Sequence, residues 1–149
     1  MAGLWQPLFA QSGKEKQPAS TGQEAGKKGL RFRSTWGIFL SETLSKTEIV
    51  KLLDSALVVR DQQNSKFPVV SFKFTYENVE PYLNDSTGRP DVYREYIGDN
   101  FKADRLSPLW STRMKDMVKS GDVLFFDDII IRYTGDKYYR APSLKFQVK

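Results

Sequence analysis

The chain has 149 residues, enough for one domain with a hydrophobic core, and its 40% hydrophobic and 13% aromatic content is typical of a folded protein. It has no cysteine, which excludes disulfides and thiolate chemistry, and no histidine, the side chain that most often transfers protons near neutral pH. The formal net charge of +5 is modest, and no apolar run is long enough for a membrane-spanning helix. We therefore expect no metal or cofactor, and no enzyme unless shifted carboxylates, lysines or tyrosines carry the chemistry.

The first 29 residues differ in composition from the remainder. Residues 12–29 are rich in Gly, Ser, Gln and Lys and lack apolar periodicity, so we predict disorder there. The stretch LFAQ at 8–11 resembles the end of a secretory signal with a small residue before the cleavage site, but no basic segment precedes it. An ordinary frayed terminus is the alternative. The predicted organisation is a disordered segment 1–29 and one domain over 30–149.

The first predicted elements are two strands separated by a short helix. The pattern LRFRSTWGIFL at 30–40 predicts a strand with apolar residues on one face. SKTE at 45–48 is a capping-box pattern, which predicts a helix over 46–54 with Ser45 as its N-cap. ALVV at 56–59 then begins the second strand.

The clearest alternation in the chain is PVVSFKFTY at 68–76. It predicts a half-buried strand in which Val70 and Phe72 face the core. NDSTGRPD at 84–91 is rich in turn residues and predicts an exposed hairpin tip. VYREYI at 92–97 is predicted to return as a strand.

A second helix and a terminal strand complete the pattern. Ser107 followed by proline predicts a helix start, and we expect this helix over 108–119 with Gly121 closing it. SLKFQVK at 143–149 alternates apolar and polar residues and predicts the last strand. The sum is a mostly β domain with two short helices.

Asp127 and Asp128 stand inside the apolar run VLFFDDIIIR at 123–132, where carboxylates are unusual. A β-bulge at this point would shift the register so that Ile129 continues the inner face, with Asp128 accepting a backbone hydrogen bond or pairing with Arg132. The alternative is a catalytic carboxylate pair. Because adjacent strand residues point to opposite faces and no second acidic motif is visible, we favour the structural role.

Several short motifs follow one another in order over residues 44–149: a V-x-S-F strand, a K-x-G-D turn, an F-x-D-I strand, a glycine hairpin and a terminal strand. This order resembles the C-terminal periplasmic domain of the GldM (PorM) family of gliding-motility and type IX secretion proteins of Bacteroidetes. The motif positions here are Ser71, Phe72, Gly121, Asp122, Phe126, Asp128, Ile129 and Gly135.

The resemblance implies an antiparallel β-sandwich of immunoglobulin-like character that contacts other proteins and carries no catalytic residues, cofactor or metal. We expect a stand-alone copy of such a domain, without a transmembrane segment, that is periplasmic or secreted; a cytoplasmic location is the alternative. Its expected partner is another protein or a second copy of itself, with a role in gliding motility or type IX secretion.

Tyrosine and arginine are favoured in protein interfaces, and they define the candidate interaction surface. Its predicted members are Arg89, Arg132, Tyr133, Tyr138, Tyr139 and Arg140, with at least one tyrosine exposed. Two alternatives remain. One is a nucleic-acid-binding module that stacks bases on these tyrosines, which we disfavour because strand tyrosines usually pack in the core. The other is a carboxylate-based hydrolase.

Overall fold

The computed structural model describes residues 30–149, and within this range the chain forms nine β-strands and two α-helices. In chain order these are β1 (Phe32–Trp36), β2 (Glu42–Leu44), α1 (Lys46–Leu52), β3 (Leu57–Asp61), β4 (Lys66–Phe67), β5 (Val69–Asn84), β6 (Arg89–Phe101), α2 (Pro108–Met117), β7 (Val123–Arg132), β8 (Tyr138–Ala141) and β9 (Leu144–Val148). The predicted disorder of residues 1–29 and the signal-like stretch at 8–11 lie outside the described residues.

The strands form two sheets, which is consistent with the predicted β-sandwich. The smaller sheet has the order β1-β3-β4, and the larger has the order β2-β9-β7-β5-β6, with β8 beside β9 along the same edge of β7. All pairings are antiparallel except β2 with β9, which is parallel. The larger sheet is therefore mixed rather than purely antiparallel. No hairpin links these two strands, so chain connectivity does not impose an antiparallel pairing.

The core lies between the two sheets and under the helices. Trp36 of β1 packs on Phe126 and Phe146 of the larger sheet, with ring centroids 4.7 Å and 5.1 Å apart. Ile49 of α1 and Met114 of α2 are fully buried on the same core. Replacing one of these aromatic residues by alanine costs about 3–5 kcal/mol in typical cores, so the sandwich depends on this contact.

Both predicted helix starts are confirmed. The Ser45 hydroxyl accepts the Glu48 N–H at 3.2 Å, and the Ser107 hydroxyl accepts the Trp110 N–H at 3.3 Å. In a capping box the Ser45 N–H would donate to the Glu48 carboxylate, but here the Ser45 hydroxyl donates to that carboxylate instead, at 3.4 Å. Each cap satisfies one of the N–H groups that a helix start leaves free.

Both helices end earlier than predicted. α1 stops at Leu52 rather than 54, and α2 stops at Met117 rather than 119. The backbone is already extended at Val118, so Gly121 does not close α2. Gly121 instead lies in the turn that leads into β7, where its φ of +96° suits a residue without a Cβ atom.

The first strand is also shorter than its pattern suggested. β1 ends at Trp36, and Gly37 turns the chain with a φ of +59°. A Cβ atom on Gly37 would lie 2.9 Å from Cδ2 of Leu52, so another residue would have to displace this side chain as well as adopt a positive φ. Ile38 beyond it is 85% exposed, which shows that the apolar pattern continued past the end of the strand.

Candidate functional site

The described carboxylate with the least access to solvent is Asp122, in the turn between α2 and β7. Its side chain is completely buried and accepts four hydrogen bonds. The Tyr76 hydroxyl donates one, and the N–H groups of Val79 and Lys119 donate two more, each at 3.0 Å. The Lys119 ammonium donates the fourth at 3.0 Å. Asp122 therefore ties the α2–β7 turn to the middle of β5.

The partners of Asp122 keep fixed protonation states near neutral pH. Burial, and then the hydrogen bond to Asp122, raises the pKa of Tyr76 far above its usual range. Burial alone would lower the pKa of Lys119, but its contacts with Asp122 and Glu80 outweigh burial and raise it. The cluster therefore holds the α2–β7 turn against β5, and both of these partners stay protonated near neutral pH. The K-x-G-D spacing is visible in the sequence, but the apolar run pointed to Asp127 and Asp128, and not to Asp122, as the carboxylates in an unusual environment.

The β-bulge predicted in β7 is confirmed. Asp127 pairs with Lys73 of β5, and the next pair joins Ile130 to Ser71, so two residues of β7 face one residue of β5. Asp128 adopts a φ of +48°, the left-handed conformation that aspartate tolerates better than most residues. The bulge therefore reverses the alternation of β7 and returns the next isoleucine to the core.

The two aspartates of the bulge have different surroundings. Asp127 is half-buried and hydrogen-bonded to Ser143, and burial raises its pKa. Asp128 is exposed, and its carboxylate lies 3.7 Å from Nε of Arg140. The predicted pairing of Asp128 with Arg132 is wrong, because β8 places Arg140 beside the bulge while Arg132 lies at the end of β7.

The remaining motif residues occupy structural positions. Phe72, Phe126 and Ile129 are buried in the core. Gly121 precedes β7, and Gly135 has a φ of +71° in the 3-10 turn between β7 and β8. At the start of β5 the prediction of which residues face the core is wrong. A register shift there buries Val69 rather than Val70.

The predicted interaction surface is divided between two ends of the molecule. Arg89 opens β6 at the tip of the β5–β6 hairpin, whereas the other five residues lie where β7 meets β8. Val69, at the start of β5, pairs with Ile131 next to this second group, while Asn84, at its end, pairs with Arg89. A strand of 16 residues spans roughly 50 Å, so the six residues do not form one surface.

Most of the predicted aromatic surface packs against the small sheet. Tyr133 lies 5.3 Å from Tyr139, 5.9 Å from Phe32 and 4.9 Å from Phe67 between ring centroids. Tyr138 is 57% exposed, which confirms the expectation that at least one tyrosine is accessible. This end of the molecule thus offers one open ring, whereas single-strand binders stack successive bases on several.

The two longest strands among the described residues, β5 and β6, form a hairpin, and we call its outer part the arm (residues 77–96). β5 pairs with β7 only as far as Glu77 and beyond it pairs with β6 alone. Within the body, Phe74 and Tyr76 of β5 face the core. Along the arm, the aliphatic residues Pro81 and Leu83 alternate out of phase with Tyr76 and lie on the opposite face, whereas Tyr82 and Tyr93 stay on the face of Tyr76.

The apolar face of the arm is exposed, and the ion pair of Arg94 with Glu77 lies on it between Val92 and Tyr96. Pro81 lies directly opposite Val92, and Leu83 lies opposite Pro90, so these cross-strand pairs share one face. Leu83 is 64% exposed, and Tyr96, at the base of the same face, is 58% exposed. No described residue covers this face.

The outer edge of β6 is partly blocked against strand addition. The Asp91 carboxylate accepts the Val92 N–H at 2.8 Å, and the Asp99 carboxylate accepts the Asn100 N–H at 2.8 Å. Pro90 has no N–H to offer. The hydrogen bond from Val92 is also the main cause that lowers the pKa of Asp91. Natural edge strands use charges and proline in this way to avoid pairing with other chains.

Comparison with known proteins gives no match: no family model matches the chain, and no curated protein or solved structure is significantly similar to it. Over residues 30–149, no helix is long and apolar enough to cross a membrane. The same range contains no cluster of three or more acidic side chains arranged to hold a metal ion. The arm and the Asp122 cluster are therefore interpreted from their own geometry.

Proposed function

We propose that this protein is a non-catalytic binding module, an immunoglobulin-like sandwich whose arm docks a protein partner. The observation that supports this most is the exposed apolar face of the arm, around Leu83, Val92 and Tyr96. A projecting apolar surface adds nothing to the core of its own chain, and such surfaces commonly mark interaction sites. The fact that the aliphatic positions change face where β5 leaves the body favours a surface kept for a partner.

The wider proposal is that the module is periplasmic or secreted and contacts a component of the gliding or type IX secretion machinery. This part rests on the order of the GldM-like motifs in the sequence. Two motif residues have structural contacts that suit a binding scaffold: Asp122 anchors the turn before β7, and Asp128 forms the bulge.

The absence of a catalytic role is part of the same proposal. Asp122 has its hydrogen-bonding capacity taken up by protein donors, which leaves little for a substrate. Asp127 is half-buried against Ser143 and Asp128 is exposed beside Arg140, so the two carboxylates bind different partners. A hydrolase would need two acids that converge on one bond.

The test uses a photo-crosslinking amino acid at position 83, on the apolar face, and at position 82, on the opposite face of the same strand. We expect a defined protein to be crosslinked from position 83 and not from position 82. That protein is then purified, and its affinity is measured by calorimetry. Equal crosslinking from both positions would contradict the proposal.

Matched variants sharpen the test. Leu83→Ser with Val92→Thr should weaken binding of the purified partner at least about tenfold, the scale of losing interface anchors. The control, Tyr82→Ser with Tyr93→Thr, changes two similarly exposed residues on the opposite face, which are 46% and 56% exposed, and should bind as the wild type does. Unchanged affinity of the first variant would overturn the role of the apolar face.

A further inference from the structure

We infer that the protein also associates head to tail with a second copy of itself, the arm of one copy docking on the opposite end of the next. This inference rests on the proposed function, because it assigns a second partner to the same arm. Its basis is the distribution of charge along the molecule, which the net charge of +5 conceals.

The arm is acidic. Residues 77–96 contain five acidic and two basic side chains, a net charge of −3. The acidic members are Glu77, Glu80, Asp85, Asp91 and Glu95. One basic member, Arg94, is already paired with the nearly buried Glu77 at the base of the arm. Glu80 is paired with Lys119, outside the arm, at 3.2 Å. Among the described residues, the acidic side chains of the arm without an ion pair are therefore Asp85 at the tip and Asp91 and Glu95 on β6.

The opposite end of the molecule is basic. We call it the distal end and define it by residues 31–33, 60–67 and 128–140, which the aromatic cluster of Phe32, Phe67 and Tyr133 draws together. These segments carry seven basic and three acidic side chains, a net charge of +4. Exposed cations include Arg31, Arg33, Lys66, Arg132 and Lys137.

The two charged regions cannot meet within one copy. The tip of the arm lies at one end of β5 and the distal end lies at the other, roughly 50 Å apart for a strand of 16 residues. Contact between the arm of one copy and the distal end of another joins two different surfaces, and such heterologous contacts repeat from copy to copy instead of closing as a dimer. Tyr138, the exposed ring at the distal end, provides an apolar contact for the apolar face of the arm.

The capped edge of β6 disfavours a symmetric dimer, which is the alternative to head-to-tail association. A symmetric dimer formed by pairing two β6 strands would need the N–H groups of Val92 and Asn100, which Asp91 and Asp99 already occupy. Charge complementarity between unlike ends requires no free strand edge. It also predicts a strong dependence on salt, because exposed charges are screened within a Debye length of about 8–10 Å at physiological ionic strength.

The experiment compares the full-length protein with two neutralising variants in sedimentation velocity. Asp85→Asn with Glu95→Gln reduces the charge of the arm, and Arg132→Gln with Lys137→Gln reduces that of the distal end. All four side chains are exposed, so the fold should be unaffected, and circular dichroism checks this. The wild type should form species larger than dimers at low salt, and about 0.3 M salt should return it to the monomer. Each variant alone should associate at least about tenfold more weakly.

Mixing the two variants provides the decisive measurement. The arm variant retains a native distal end and the distal-end variant retains a native arm, so their mixture contains one complete interface and should form a 1:1 complex that does not grow further. Two results would refute this head-to-tail association. The wild type could stay monomeric at low salt, or both variants could associate as strongly as the wild type. Specific crosslinking of another protein from position 83 would then still support the proposed function, so the two failures are distinguishable.

Discussion

Aspartate plays three different roles in this molecule, and its surroundings decide which. Asp122 is completely buried yet receives four donors, so its desolvation is offset by hydrogen bonds. Asp127 is half-buried with few donors, and burial raises its pKa. Asp91 lies at an exposed strand edge and binds a neighbouring N–H, which lowers its pKa. A carboxylate therefore anchors a turn where donors surround it, destabilises the fold where it is buried with few donors, and blocks a strand edge where it binds an exposed N–H.

The first prediction concerns the phenol that donates to Asp122. Tyr76→Phe removes this donor from a buried carboxylate, and we expect a loss of about 1–3 kcal/mol in the free energy of unfolding, measured with urea. Tyr82→Phe is the matched control, since the Tyr82 hydroxyl makes only an exposed contact with Asp91 at 3.3 Å. A Tyr76→Phe variant as stable as the wild type would mean that Asp122 is satisfied without it.

The second prediction concerns the pH dependence of stability. Because burial raises the pKa of Asp127 above 3.8, the folded state binds its proton more tightly than the unfolded chain. This contribution favours folding in acid and is lost as the pH rises from 3.8 through the raised value, so it opposes folding at neutral pH. Asp127→Asn should therefore be more stable than the wild type at pH 7.

The comparison of variants across pH completes this test. The advantage of Asp127→Asn should shrink as the pH falls toward 3.8, where the wild-type carboxyl gains its proton in both states. Asp128→Asn is the control for a substitution within the bulge, because its side chain is exposed and asparagine also tolerates a positive φ. Lower stability of Asp127→Asn at neutral pH would show that its contacts with Ser143 and Lys73 outweigh burial.

Elements that are determined by neighbouring residues could be predicted from the sequence, and those that depend on distant residues could not. Ser45 and Ser107 marked both helix starts, because an N-cap acts within one turn of the helix. Two aspartates in an apolar run correctly indicated the bulge in β7. The parallel pairing of β2 with β9 depends on residues about one hundred positions apart, and no local pattern encodes it.

The arm shows why the candidate surface was only partly predicted. Alternation indicates that one face of a strand is apolar, but it does not show whether that face meets a core or solvent. The signal present in the sequence was the change of phase between Tyr76 and Leu83, after which the aliphatic residues continue on the other face. Arg89 and Tyr138 were predicted as interface residues from their chemistry, and only the tertiary structure shows that they lie at opposite ends.

The third prediction concerns the edge of β6. Asp91→Ala with Asp99→Ala should free the N–H groups of Val92 and Asn100 and promote edge-to-edge association, followed by light scattering and thioflavin fluorescence. The measurements are made at about 0.5 M salt, because salt at this concentration screens the association between the charged ends. Glu95→Ala is the control, because it removes an exposed acid from the same strand without freeing an N–H. Equal association of the two variants would indicate that charge, not capping, protects the edge.

At the scale of the whole molecule, net charge is a poor guide to partners. The chain carries +5, yet its arm carries −3 and its distal end +4, and the tip of the arm is about 50 Å from the distal end by strand length. An extended polyanion that lay along the sheet would meet the acidic arm as well as the basic end. Only one ring at the basic end, Tyr138, is open for stacking.

The last prediction follows from this polarity. At about 0.15 M salt, we expect no binding of single- or double-stranded DNA or RNA at micromolar protein concentration, measured by fluorescence anisotropy, because few phosphates can be neutralised at once. Weak binding at low salt should disappear steeply as salt is added, and Arg132→Gln with Lys137→Gln should abolish it. Tight binding at physiological salt that is lost in Tyr138→Ala would instead identify the distal end as a base-stacking site and favour a nucleic-acid partner over a protein.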